Sequence, residues 1–147
     1  MRGYFGIGIY HTKTECNVGT LYRSVYQLGA AFVFTIGRRY KKQASDTYNT
    51  TLHIPLYHYE SFEQFQENRP QGAELVGVEL DPKANRIPGF LHPKRAVYLL
   101  GAEDHGLPPQ IVNKCQHLVT LEGGSFNVAV AGSLVMYDRI TRSNPAA

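Results

Sequence analysis

The sequence predicts an α/β domain built on a mostly parallel sheet flanked by helices. Two observations carry that expectation. Short, β-rich apolar runs alternate with segments of helical spacing along the whole chain. Three of the apolar runs also end in loops rich in glycine and short polar side chains, where sheets of this kind bind ligands outside the carboxyl ends of their strands. The chain has 147 residues, and no repeat, linker or low-complexity tract divides it, so residues 1–147 are expected to form one domain.

The elements follow in order. Phe5 to Tyr10 reads as a first strand. Gly19 to Leu28 reads as a helix, with Leu21, Val25 and Leu28 at helical spacing and Gly29 as its stop signal. Ala31 to Ile36 is an unbroken apolar run, as expected of a strand covered on both faces. Leu52 to Tyr57 reads as a third strand, which Pro55 either weakens or places at an edge. Ser61 to Gln64 has the pattern of a helix start, with Phe62 and Phe65 on one face. Leu75 to Leu80 and Ala96 to Leu100 are further strands. Pro108 to Cys115 reads as a short helix with proline in its first turn. His117 to Leu121 is the last strand. Asn127 to Ile140 is the last helix, with Val130, Leu134 and Val135 on one side as core or dimer-interface residues.

Composition narrows the function classes. Apolar residues make up 43% and charged residues 18%, which supports a buried core and excludes a disordered chain. No signal-peptide pattern opens the sequence, and no run is long enough to cross a membrane. A cytoplasmic protein with Cys16 and Cys115 as free thiols is expected. The six histidines (His11, His53, His58, His92, His105, His117) show no ligand pairing, so no metal is expected. The glycines of Phe5-Gly6-Ile7-Gly8 lack the third glycine of a dinucleotide fingerprint, and there is no P-loop lysine. The formal charge is +3. Its clustering says more: Arg38, Arg39, Lys41 and Lys42 suit a phosphate backbone, although a solvated loop has the same composition.

The three loops carry a further pattern. Asn17-Val18-Gly19-Thr20-Leu21-Tyr22-Arg23, closing at Gly29, resembles the first motif of the SpoU/TrmH class of SPOUT RNA methyltransferases. Leu100-Gly101-Ala102-Glu103-Asp104-His105-Gly106-Leu107-Pro108 resembles the second, and Ser125-Phe126-Asn127-Val128-Ala129-Val130-Ala131-Gly132 the third. Order and spacing agree from the first strand to the last helix. The resemblance implies a C-terminal trefoil knot holding S-adenosylmethionine in a bent form. It also implies a homodimer with the active site near the interface, and methyl transfer to a ribose 2′-hydroxyl of RNA. The chain is similar to the small, catalytic-domain-only members, several of which act on tRNA. An rRNA substrate is the nearest alternative. A catalytically idle RNA-binding module on the same scaffold is another, which the joint presence of Asn17, Arg23, Glu103 and Asn127 argues against.

The resemblance also implies roles for residues. Arg23 takes the place of the catalytic arginine. A guanidinium is not normally deprotonated, so Arg23 is expected to stay charged, grip an RNA phosphate and stabilise the forming alkoxide. Asn17 caps the first helix or contacts the active site, and Asn127 caps the last helix while meeting cofactor or RNA. Val78, Glu79, Gly101, Glu103, Leu121 and Ser125 are expected to line the S-adenosylmethionine pocket. Arg23, Arg38, Arg39, Lys41 and Lys42 are expected to contact RNA. His105 is a loop residue, since the motif does not require histidine there. The chain departs from many relatives in carrying Glu122 where they have proline and Ala129 where they have serine, and Glu122-Gly123-Gly124 is shorter than in some of them.

Overall fold

A computed structural model describes residues 3–11, 15–37, 53–101, 106–124 and 126–142. Strands β1 (Tyr4–Tyr10), β2 (Phe32–Ile36), β3 (Leu56–Tyr59), β4 (Glu74–Val78), β5 (Asn85–Arg86), β6 (Arg95–Leu100) and β7 (His117–Thr120) form one sheet in the order β3-β2-β1-β6-β4-β7-β5. Every pairing is parallel. The central strands β1, β6 and β4 are buried on both faces, which is why they read as continuous apolar runs. Helices α1 (Glu15–Leu28), α2 (Phe62–Asn68), α3 (Pro109–Val112) and α4 (Val128–Arg142) pack against the two faces.

Alternation along each strand divides the core. Ile7, Ile9, Val33, Tyr98 and Leu100 point to one face and meet Leu21, Tyr22 and Val25 of α1 and Val135 and Met136 of α4. Phe34, Ile36, Leu75, Val97 and Leu99 point to the other and meet Phe62 and Phe65 of α2 and Ile111 of α3. Phe34 and Phe65 stack with centroids 4.6 Å apart. Burying one such ring stabilises the fold by about 1.5–3 kcal/mol.

Local signals explain most boundaries. Gly29 ends α1 with φ of 86°, a left-handed turn that costs glycine little. Ser61 caps α2, its hydroxyl accepting from the Gln64 backbone N–H at 3.1 Å. Several expected boundaries move. The first helix starts at Glu15, so Asn17 lies in its first turn and does not precede it. The third strand begins after Pro55, whose carbonyl still accepts from Val33, and it is an edge strand as expected. Strand β4 stops at Val78, leaving Glu79 and Leu80 beyond its end. Helix α3 is only four residues long. Strand β5 has two residues, too few for any periodicity to reveal.

Helix α4 needs a larger correction. Val135 is buried, whereas Val130 and Leu134 are 46% and 42% exposed. The three do not share one side: the helix is apolar on a core face and again on an outer face that continues to Tyr137. No described helix is long and apolar enough to cross a membrane.

Candidate active site

The carboxyl ends of the strands bring two groups of expected residues to one edge of the sheet. The first is Val78, Glu79, Gly101 and Leu121. Val78 pairs with Leu100 on β6 and with Val119 on β7. Gly101 and Leu121 are the residues that follow those two strands, so all four lie on three adjacent strand ends. Backbone packing is tight here. A Cβ on Gly101 would sit 2.5–2.7 Å from Gly106 and the Leu107 nitrogen, a separation that real side chains do not tolerate.

Glu79 is bonded to backbone at this edge. Its carboxylate accepts from the backbone N–H of Leu107 at 2.5 Å and from that of Leu80 at 2.9 Å. Charge-assisted bonds of this kind are roughly twice as strong as neutral ones. Glu79 therefore ties the second motif to the end of β4. The glycine at 106 leaves room for it, since a Cβ there would strike the carboxylate.

Next to this edge is a cavity of about 390 Å³. Its walls include Leu80, Pro82, Thr120 and Leu121, with Asp81 and Glu122 at the side. Arg86 and Glu122 form a paired guanidinium–carboxylate contact on its rim. Their mutual hydrogen bonds lower the Glu122 carboxyl and raise the Arg86 guanidinium from their ordinary values. Sequence reasoning missed this pair, because β5 brings Arg86 to the loop after β7 and nothing local signals it.

The second group is Asn17 and Asn127, at the starts of α1 and α4. The Asn127 amide donates to Asn17 Oδ1 at 2.9 Å. Asn127 Oδ1 accepts from the N–H groups of Ala129 and Val130, so Asn127 is an N-cap and a tether between the first and third motifs. About two turns further along, the Ser133 and Ser24 hydroxyls share a hydrogen bond at 2.8 Å, extending the same seam.

Arg23 lies elsewhere. It is exposed on α1 and lines a hollow of about 430 Å³ with Thr20, Ser24, Gln27 and Leu28. It is not among the residues lining the cavity beside Leu121. Glu103, Ser125, Arg38, Arg39, Lys41 and Lys42 fall outside the described residues. Burial pushes the Cys115 thiol up to about 11, so it holds no thiolate near neutral pH. Among the described residues, no group of three or more histidine, cysteine, aspartate or glutamate side chains is placed to hold a metal ion.

This parallel sheet, with its helix starts and strand ends gathered at one edge, is the fold of SPOUT methyltransferases. Residues 5–137 match the SpoU rRNA Methylase family, and the chain belongs to that family. Three solved structures show how far the fold extends. An AdoMet-bound rRNA methyltransferase from Sinorhizobium meliloti superposes with a TM-score of 0.82 at 21% identity, over 97% of this chain. A structure described for the 2-OH methylation of C/U34 on tRNA gives 0.82 at 20% identity, over 96% of this chain and 97% of that one. The A. aeolicus TrmH/SpoU tRNA modifying enzyme gives 0.82 at 18% identity, over 97% and 78%. The chain spans 58% of the Sinorhizobium protein's length. No curated protein matches the sequence.

Proposed function

We propose that the chain is an S-adenosylmethionine-dependent RNA methyltransferase acting on a ribose 2′-hydroxyl, with tRNA as the substrate class. The observation that carries this reading is the Asn17–Asn127 bond, which joins the first and third motifs beside the strand ends that hold the second. Family membership and the near-complete mutual coverage with a structure concerned with tRNA 2-OH methylation support it.

The residues present fit the methyl donor. The cavity beside Leu121 falls within the ordinary ligand-pocket range of about 300–1,000 Å³. It offers apolar walls to a purine, and with Glu122 paired to Arg86 on the rim, Asp81 sets net negative charge near a cation. When bound, S-adenosylmethionine supplies a methyl group already activated by a sulfonium. Gly101 lets the backbone of Gly106 and Leu107 close against the end of β6, Glu79 fixes the second motif, and the asparagine pair fixes both helix starts. Such positioning contributes on the order of 7–11 kcal/mol when the geometry is right. The family's trefoil knot at this edge is part of the same reading.

Arg23 completes the site through dimerisation. Its guanidinium sits apart from the cavity of its own chain, on an exposed helix face. Val130, Leu134 and Tyr137 form an exposed apolar stripe along neighbouring α4, with Phe126 exposed just before it, of the kind that marks a protein interface. A homodimer through α1 and α4 sets Arg23 of one copy against the cofactor loops of the other. There Arg23 holds an RNA phosphate and stabilises the developing alkoxide, while a phosphate oxygen or water takes the proton.

The test combines calorimetry with S-adenosylhomocysteine and nuclease mapping of RNA after methyl transfer to separate tRNA and rRNA fractions. The expected result is binding of the cofactor product and 2′-O-methylnucleosides in the tRNA fraction. No cofactor binding would make the chain an idle RNA-binding module, and base methylation would overturn the ribose assignment. Arg23→Ala is expected to keep S-adenosylhomocysteine affinity within a few fold while single-turnover methyl transfer falls about 10²–10³-fold. Equal rates in mutant and wild type would remove Arg23 from the mechanism.

A further inference from the structure

A second cavity, of about 550 Å³, opens at the opposite edge of the sheet, beside the amino ends of β1 and β6. Among the described residues no carboxylate lines it, whereas Lys94, Arg139 and Arg142 all do. Arg139 is 7% exposed. Its guanidinium donates to the carbonyls of Pro93 (2.6 Å), Lys94 (2.8 Å) and Tyr4 (3.4 Å) and to the Tyr98 hydroxyl (3.1 Å). All four acceptors are neutral. Buried charges are ordinarily paired, and this one is hydrogen-bonded without being neutralised. Asp138, its neighbour in sequence, is already engaged by Arg142 and His92.

Two donors remain. The Lys94 ammonium and Arg142 Nη1 have no partner among the described residues. Two apolar side chains stand beside them: Phe90, which is buried, and Leu91, which is 87% exposed. A Cβ built on Gly29, at the cavity's edge, meets nothing within 4 Å, so this side is open.

We infer that this cavity is a second RNA contact, in which Lys94 and Arg142 hold a backbone phosphate over the buried Arg139 while Leu91 and Phe90 cover the attached nucleoside. Apolar contact beside a phosphate-binding charge suits a nucleotide better than a bare anion. With β1 seven residues long, the cavity lies about 20 Å from the methyl-transfer edge, so it would grip RNA away from the modified nucleotide. The inference rests on the RNA methyltransferase reading for its ligand, and its cationic geometry stands apart from that reading.

The test uses the full chain and labelled oligouridine, with affinity measured by anisotropy across a salt series. Lys94→Ala is expected to weaken binding about fivefold and reduce the salt slope by about one, and Lys94→Arg to restore both. S-adenosylhomocysteine affinity should not change, which separates this site from the cofactor pocket. In parallel, inorganic phosphate and uridine monophosphate are titrated while the amide resonances of Gly29 and Lys94 are followed. Shifts that saturate, and that oligouridine competes away, support the site. Oligouridine binding indifferent to Lys94, or absent from the wild type, overturns it, and saturating shifts without competition would make this a free-nucleotide site. Absent S-adenosylhomocysteine binding would sink the proposed activity and leave the phosphate titration to be read on its own.

Discussion

Gly101 shows how narrowly single residues constrain the active edge. The space its side chain would fill is occupied by backbone of the second motif, and backbone cannot rotate away as a flexible side chain can. Gly101→Ala is expected to destabilise the fold by about 1–3 kcal/mol and to weaken S-adenosylhomocysteine binding at least tenfold, measured by urea unfolding and calorimetry. Unchanged affinity would separate the glycine from the cofactor site. Glu79 makes a related point. As a residue type in the sequence it is equally suited to meeting a sulfonium or bracing a loop. Its two backbone bonds, to residues 1 and 28 positions away, engage both carboxylate oxygens in bracing.

Among the elements, α4 has the most to do. Its core face carries Val128, Ala131, Val135 and Met136, and its outer face carries Val130, Leu134 and Tyr137. A sequence window sees apolar residues on more than one side and cannot tell which are inside. Replacing Val130 and Leu134 together with aspartate is expected to leave the circular dichroism spectrum unchanged. The same change should move the proposed dimer to monomer in sedimentation, and the proposed methyl transfer should fall with it. Retained dimerisation would place the interface elsewhere. The N-cap of α4 was legible from Asn127 alone, because its bonds run to residues two and three positions along. Its bond to Asn17 crosses 110 positions and needed the fold.

At the scale of the whole molecule, one network holds the C-terminal helix to the segment before β6. His92 lies between the Tyr98 hydroxyl (2.6 Å) and Asp138 (2.7 Å). Arg142 reaches from Asp138 to the carbonyls of Ile87 and Phe90. Burial lowers the His92 pKa, and Arg139 and Arg142 push the same way, against the raising effect of Asp138. The native state thus disfavours the imidazolium, while the unfolded chain takes up the proton near pH 6.5. The unfolded state binds more protons below that value, so stability should decline as pH falls from about 6.5 toward the lowered native pKa. Asp138 behaves in a second, more acid window. Burial alone would raise its pKa, but bonds from Arg142 and His92 leave it lowered. Its contribution should be lost only as pH falls through that lowered value. Urea midpoints of the wild type and His92→Gln between pH 5 and 8 test the first window. Parallel curves would rule out His92 as the source.

Fold class and the order of most elements were legible from the residues alone. Those features are written in short-range terms: periodicity within a run, caps within a turn, glycine where backbone must bend. What Glu79 holds, the meeting of Arg86 with Glu122, the hollow that Arg23 lines on α1 and the burial of Arg139 among neutral acceptors emerged only in three dimensions. Most of these depend on residues distant in the chain becoming neighbours through parallel pairing, and hydrophobic patterning specifies which faces are buried without specifying which polar groups meet.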